Sequence, residues 1–451
     1  MITFQDYQKA GDTAEFLRKA IDDYRGSFEY QTAIIADEYD RQQNRTINAY
    51  TKYLYSATGQ KIVDTFASNN KIASNLFHRL NKQRCTYLLG NGVTFAGDTD
   101  KKRFGLDFDR NVSVAGYNAL IHGVSYAFWN KDHLVVFPAT HVCPLYDEED
   151  GRLRACIRFW SLDWEKKPVT VEFYEEDGFS VYKTKPDSSG LDLAIAEAKR
   201  GYIQHIERTE ADGAEVVGEE NYSSLPVIPF YGNANQQSSI IGMRPGIDAY
   251  DLIKSGFAND LQDCAQIYWL IGNNFGMDDE ETQKFMDRLK LNHVANVDIE
   301  NSSIQPYTQD VPSEARETFL NMIRRSVYED FGALDVSDIS ASAKTATEIN
   351  AAYQPVDEEA DDFEYQAIQF IQRLLHLCGI EDTPTFKRNK VSNQMEQTQM
   401  IALASQYLDR ETVLSLLPFI TADQVPEILQ RLDREEGQRF VNEEPEEDGE
   451  S

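Results

Sequence analysis

The strongest constraint on this fold lies between Val356 and Leu377. Val356, Ala360, Phe363, Ala367, Phe370, Leu374 and Leu377 step by four and three, the spacing that lines one side of an α-helix. The run opens at Thr345 and stops at Gly379, a residue suited to the left-handed turn that ends helices. At 1.5 Å per residue such a rod spans roughly 50 Å, and a seam of that length has to be covered by another element. Pro355 sits inside it, lacks an N–H and crowds the preceding turn, so a kink is expected there.

A second helical signal runs from Arg244 to Ile271, where Tyr250, Ile253, Phe257, Leu261, Cys264, Tyr268 and Ile271 recur at three or four and Asp251, Asn259, Asp260 and Asp263 lie off that stripe. This predicts one long amphipathic helix. After a module of mixed periodicity over Gly272–Pro312, with a short helix around Glu280–Leu291 and a strand over Val294–Ile299, helix resumes. Ser313 can cap it, Phe319, Met322, Ile323 and Val327 supply its apolar face, and Gly332 can end it. Leu334–Ala343, rich in Ser, Asp and Ala, reads as a mobile loop.

The N-terminal third carries a helical layer from Thr13 to Gly123: Ile62, Phe66, Ile72, Leu76, Leu80 and Leu88 recur near helical spacing until Gly90-Asn91-Gly92 makes a turn, and a further helix covers Val112–Gly123. From 124 to 232 the pattern changes to strands. Leu153–Phe159 and Val169–Tyr174 alternate, Asp177-Gly178 signals a hairpin, and Pro226 and Pro229 stiffen an extended segment before a Gln/Ser/Gly linker. Further helices fall between Thr385 and Leu432, and the acidic end from 438 to 451 has the composition of a disordered tail. The class is α+β, predominantly helical.

With 41% hydrophobic and 11% aromatic residues the body has the material for a core. The net charge of −31, from 44 basic and 75 acidic residues, opposes tight gripping of nucleic acid, which needs a basic surface. It is compatible with a surface along which DNA slides. Five scattered cysteines without CxxC spacing read as reduced thiols used for packing, and a polar N-terminus and the lack of a long apolar run predict neither signal peptide nor membrane span.

Chemistry-bearing motifs are few. His133, His141, Cys143 and Cys156 offer zinc-type donors but no repeated close pair, so a packing role is preferred. Asp357-Glu358-Glu359 with Asp361-Asp362 reads as a solvated helix face, and Gly90-Asn91-Gly92 lacks the rest of any phosphate-loop pattern. No Gly-x-Ser-x-Gly or His-Glu-x-x-His motif occurs. The densest basic clusters are Arg316, Arg324 and Arg325; Lys284, Arg288 and Lys290; and Lys387-Arg388 with Lys390. Singly each reads as surface salt bridging; a ring would multiply each into a band of charge.

Four segments, taken in order, resemble the portal (head-to-tail connector) proteins of tailed bacteriophages of Gram-positive hosts. They are Asn81–Gly90, Leu225–Asn233, Gly246–Asp251 leading into Phe257–Asp263, and Thr345–Ile349. The resemblance extends from about residue 30 to 420, and it is the order of the segments that gives it specificity. It implies a non-enzymatic protein without cofactor or metal: a homo-oligomeric ring, usually a dodecamer, at one capsid vertex of the virion, assembled in the host cytoplasm. Double-stranded DNA would pass non-specifically through its channel during packaging and ejection. Its partners would be the terminase large subunit, head-tail connector or adaptor proteins, and major capsid and scaffolding proteins, with no membrane.

By position the resemblance assigns 1–243 to a wing, 244–271 and 313–331 to two stem helices, 272–312 to a clip and 332–344 to a tunnel loop carrying Asp335, Ser337, Asp338, Ser340, Ser342 and Lys344. The kinked helix 345–379 would cross the wing toward the channel, and 380–437 would form a helical crown. Two other readings compete with this one: an acidic cytosolic hydrolase using carboxylates of the β-rich module as general acid and base, and a scaffold built through the long seam.

Overall fold

Three polar residues start the helices of the N-terminal layer. Thr3 caps α1 (Phe4–Lys9), Asp12 caps α2 (Thr13–Gly26) and Ser27 caps α3 (Phe28–Asp40), each side chain accepting backbone N–H bonds from the first turn. The structure, a computed structural model, describes residues 2–55, 59–64, 67–161, 168–185, 191–209, 213–264, 268–271, 278, 280–281, 283–284, 304–307, 313–336, 346–390, 394–417, 420 and 424–442. The chain divides into two units, Met1–Ala333 with Glu358–Lys387, and Leu334–Asp357 with Arg388–Ser451.

After α4 (Arg45–Ala49) the mostly helical layer expected here is interrupted by strands. β1 (Tyr53–Tyr55) and β2 (Lys61–Val63) pair antiparallel, and the chain then runs without helix to α5 (Leu76–Leu89). Aromatic and β-branched residues on either side of Gly59, which has a φ of 79°, favour the hairpin. The apparent helical spacing of Ile62 and Ile72 is therefore fortuitous, and Phe66 lies outside the described residues. β3 (Val93–Phe95) follows, then α6 (Phe108–His122), which Gly123 ends with a φ of 90°.

The next region is built from β4 (Val124–Trp129), β5 (Leu134–Pro138), β6 (Val142–Tyr146), β7 (Leu153–Trp160), β8 (Thr170–Glu175), β9 (Gly178–Thr184), β10 (Leu193–Arg200), β11 (Ile203–Thr209), β12 (Gly213–Glu220) and β13 (Val227–Tyr231). An antiparallel sheet of order β10-β9-β8-β7-β6 packs one face on α2 through Phe16, Leu17, Ile21, Leu145, Ile157 and Phe173. Tyr126, Phe137, Cys156 and Tyr174 form a separate core with residues of a second sheet, β13-β4-β5. Alternation along neighbouring strands puts Cys143 in the first core and Cys156 in the other. β13 is an edge strand, where Pro229 costs no ladder bond.

The remaining elements are α7 (Arg244–Cys264), β14 (Tyr268–Ile271), β15 (Ile304–Tyr307), α8 (Ser313–Phe331), α9 (Ala346–Leu377), β16 (Pro384–Phe386), α10 (Gln394–Ala404), α11 (Arg410–Leu416) and α12 (Val425–Asn442). Three expectations change. Helix does not continue to Ile271, because Tyr268-Trp269-Leu270-Ile271, all strand-favouring, pairs with Ile304–Tyr307. The interval after 380 opens with a strand, β16, paired to β3 through Thr385 and Thr94. The acidic end is still helical from 438 to Asn442, and 443–451 lie outside the described residues.

The long seam finds its partner inside the first unit. Phe363, Ala367, Phe370 and Leu374 of α9 pack with Leu88 and Leu89 of α5, Ala115 and Ala119 of α6 and Phe230 of β13; the Phe230 ring stacks on Phe370 at 4.7 Å and on Phe363 at 5.8 Å. Truncating Phe370 to Ala is expected to cost about 3–5 kcal/mol, measured as a lower midpoint of chemical unfolding. Tyr365→Ala, on the exposed side of the same helix, is expected to stay within about 0.5 kcal/mol.

Candidate functional site

The α7–α8 pair holds three of the residues that sequence singles out, Arg316, Arg324 and Arg325. The two helices are antiparallel: Gly246 approaches Val327 near one end, where an added Cβ would lie 3.0 Å from Val327 Cγ2. Towards the other end, the Arg316 guanidinium pairs with Asp260 and lies 5.8 Å from the Phe257 ring centroid. Ile247, Val327, Tyr328 and Phe331 join Ala36, Tyr39, Phe77 and Leu80 in one core, which fixes the pair to α3 and α5.

The buried side of α7 is not its apolar stripe. Ile247, Asp251, Ser255 and Asn259, four residues apart, are its deeply buried positions, with Asp251 only 1% exposed, whereas Tyr250, Ile253 and Phe257 are half-buried and Leu261 is 53% exposed. Asp251 and Asn259, read from sequence as part of a polar face, instead receive the extended chain before α5. Ser74 N–H donates to Asp251 Oδ1 at 2.9 Å, Ile72 N–H to Ser255 Oγ at 3.0 Å and Asn70 N–H to Asn259 Oδ1 at 2.6 Å.

The match is one of rise. Two extended residues advance about 6.6 Å and four helical residues about 6 Å, so every second N–H of a strap running against α7 meets the next turn's acceptor. Asn44 also donates to Asp251, and Tyr39 and Thr46 donate to Asp248. Burial pushes the Asp251 carboxyl up, while its bonds from Ser74 and Asn44 pull the other way. The signal legible in sequence was the four-residue spacing of Asp251, Ser255 and Asn259; nothing in the sequence named their donors.

The described basic candidates have neighbours within the chain. Arg316 is tied to α7, Arg325 pairs with Glu329 at 2.9 Å, Arg324 lies 5.5 Å from the Tyr328 ring centroid and Lys284 pairs with Glu280 at 2.7 Å. Arg288 and Lys290 are outside the described residues, as are Ser337, Asp338, Ser340, Ser342 and Lys344; Asp335 is half-buried in the second unit. Pro355 lies within α9. The acids around it are not a plain solvated face. Asp357 accepts from Arg388 at 3.0 Å and Lys390 at 2.7 Å, Glu359 pairs with Arg84 at 3.0 Å, and Asp362 accepts Ala234 N–H at 3.0 Å. Among the described residues no cluster of three or more His, Cys, Asp or Glu could hold a metal, and no helix is long and apolar enough to cross a membrane.

Comparison with known families decides what these helices belong to: the family model described as phage portal protein, SPP1 Gp6-like, matches residues 32–439. The chain belongs to the phage portal protein family. The portal protein of Clostridium phage phiCD119 is 23% identical over 78% of this chain and 82% of its own length, and that of Bacillus phage SPP1 is 23% identical over 81% of this chain and 76% of its own. Among solved structures, a chain from the neck of an empty GTA particle computed with C6 symmetry aligns with a TM-score of 0.46 at 10% identity, covering 76% of this chain and 90% of that one. A chain from the neck of a native GTA particle computed with C12 symmetry aligns with a TM-score of 0.45 at 12% identity, covering 77% and 90%. Portal proteins are structural components, and the chain's role is that of a phage portal protein.

The strap is the testable feature of this site. Ser255→Ala leaves the Ile72 N–H without its acceptor and is expected to cost about 1–3 kcal/mol, read by chemical unfolding. Arg325→Ala, which removes only an exposed i, i+4 pair, is expected to cost no more than about 0.5 kcal/mol.

Proposed function

We propose that the chain is one subunit of a ring, a dodecamer, at a single capsid vertex, through whose channel double-stranded DNA enters during packaging and leaves during ejection. The observation that carries this reading is the family match across residues 32–439. In this reading 1–243 is wing, 244–271 and 313–331 are the stem, 272–312 the clip, 332–344 the tunnel loop and 380–437 the crown. The terminase large subunit, connector or adaptor proteins and capsid and scaffolding proteins dock on it, and the chain performs no catalysis.

Two properties of the chain favour that role. The strap occupies the buried side of α7, so Leu261 on α7 and Phe319 and Met322 on α8 stay 53%, 44% and 57% exposed. Exposed apolar residues on a helix pair suit an association surface, and neighbouring copies would cover them. The charge of −31 gives a channel wall little affinity for phosphates, so DNA slides instead of sticking. In this reading a kink at Pro355 would bring the tunnel loop toward that wall.

Negative-stain microscopy of the purified full-length chain, with light scattering for mass, tests this reading. Annular particles with a central hole and a mass several times that of the subunit are expected. Monomers or small compact oligomers at every protein concentration would overturn it. Replacing Phe319 and Met322 together by Ser is expected to shift the population from rings to free subunits without unfolding the chain.

A further inference from the structure

The chain leaves the first unit after Ala333 and returns to it at Glu358, and one side chain holds both points. Arg84, on α5, is only 12% exposed; its Nη2 donates to the carbonyl of Phe331 and lies 3.0 Å from Glu359 Oε2, while its guanidinium rests 4.1 Å from the centroid of the Phe331 ring. Phe331 is the last residue of α8 and Glu359 lies four residues beyond Pro355 in α9.

The end of α8 explains why the carbonyl is available. Gly332, with a φ of 65°, lets its own N–H bond Glu329 O at 3.0 Å and the Ala333 N–H bond Tyr328 O at 2.9 Å, the usual left-handed closure of a helix. The Phe331 carbonyl lies outside those two bonds at the negative end of the helix dipole, where a guanidinium is well placed. On the α9 side, Pro355 has no N–H to give the preceding turn, so the helix is least supported just before the residue that Arg84 grips. Burial lowers the Arg84 pKa, and the charges of Glu359 and Asp362 oppose that shift. The chain leaves the first unit a second time after Lys387, whose carbonyl accepts from Asn91 Nδ2 at 2.8 Å in the turn following α5.

We propose that Arg84 is a positioning residue, a clasp that ties the end of α8 and the returning turn of α9 to α5, at the two points where the chain leaves and re-enters the first unit; in the ring reading the residues between those points include the tunnel loop. The consequence for DNA passage rests on the ring reading above; the clasp itself does not. Displacing α5 would move both ends of the excursion together, because one guanidinium holds them.

Hydrogen exchange of full-length wild type, Arg84→Ala, Arg84→Lys and Glu359→Gln tests the clasp, with microscopy of the same samples. Arg84→Ala is expected to raise exchange in the first half of α9, residues 346–357, roughly tenfold, the factor that losing a charge-assisted hydrogen bond permits, while peptides from α2 and the β6–β10 sheet keep their wild-type rates. Arg84→Lys, which keeps the positive charge but loses the planar guanidinium and its stacking on Phe331, is expected to fall between wild type and Arg84→Ala. Exchange in 346–357 unchanged in both Arg84→Ala and Glu359→Gln, or raised equally across the whole chain, would overturn the proposal. If Arg84→Ala does not fold, Glu359→Gln, which alters a half-exposed partner, decides alone by the same criterion. Absence of rings in wild type defeats the ring reading without touching the exchange result.

Discussion

The close approach around Gly116 is the constraint on which the first unit depends. A Cβ added there would lie 2.6 Å from Leu89 Cδ1 and 3.1 Å from Phe363 Cζ, so α5, α6 and the returning part of α9 meet where α6 carries no side chain. A second contact of the same kind sits beside it, since a Cβ at Gly232 would lie 2.4 Å from the Ala119 carbonyl oxygen. These two glycines let β13 and α9 lie against α6 so that Phe230, Phe363 and Phe370 can stack. Residues more than 250 positions apart are thereby joined in one core. The excursion from Leu334 to Asp357 is possible because its return is anchored this firmly.

The polar row on α7 follows a different rule. Buried backbone groups need partners, and the extended chain from Asn70 to Ser74 has no strand beside it to supply them. Asp251, Ser255 and Asn259 do so from a helix, one acceptor per turn for one donor per two residues. The consequence reaches beyond the strap. A helix has one circumference, and spending its most buried side on hydrogen bonds leaves the apolar stripe of Tyr250, Ile253, Phe257 and Leu261 half-covered or exposed. The orientation of α7 is therefore set by where its hydrogen-bond acceptors are needed and not by its apolar stripe.

How much of this was legible in the sequence divides along the range of the interactions. The seam of α9, the Gly332 and Gly379 terminations, α8 from Ser313 to Phe331 and the alternation of the β6–β10 sheet all depend on neighbours within a few residues, and periodicity exposes them. Residues 70–74 and 268–271 are not helical because their partners are distant, α7 for one and Ile304–Tyr307 for the other, whereas β1 and β2 form a local pair whose signal the helical spacing of Ile62 concealed. Periodicity also could not orient α7, since a stripe of apolar residues and a row of small polar ones each mark a face and only the strap decides which is buried. Arg84 stood within a segment chosen for its resemblance, but its grip on Phe331 and Glu359 links positions 247 and 275 residues away, beyond any local pattern.

The acidic composition has to be reconciled with self-association, because copies carrying −31 each repel one another. Distance weakens the objection: at physiological salt, charges are screened over about 8 Å, so only those within a turn or two of the contact count. On the α7–α8 pair Arg316 is matched with Asp260 and Arg325 with Glu329. If the proposed ring covers Leu261, Phe319 and Met322, these two pairs would enter the contact already neutralised.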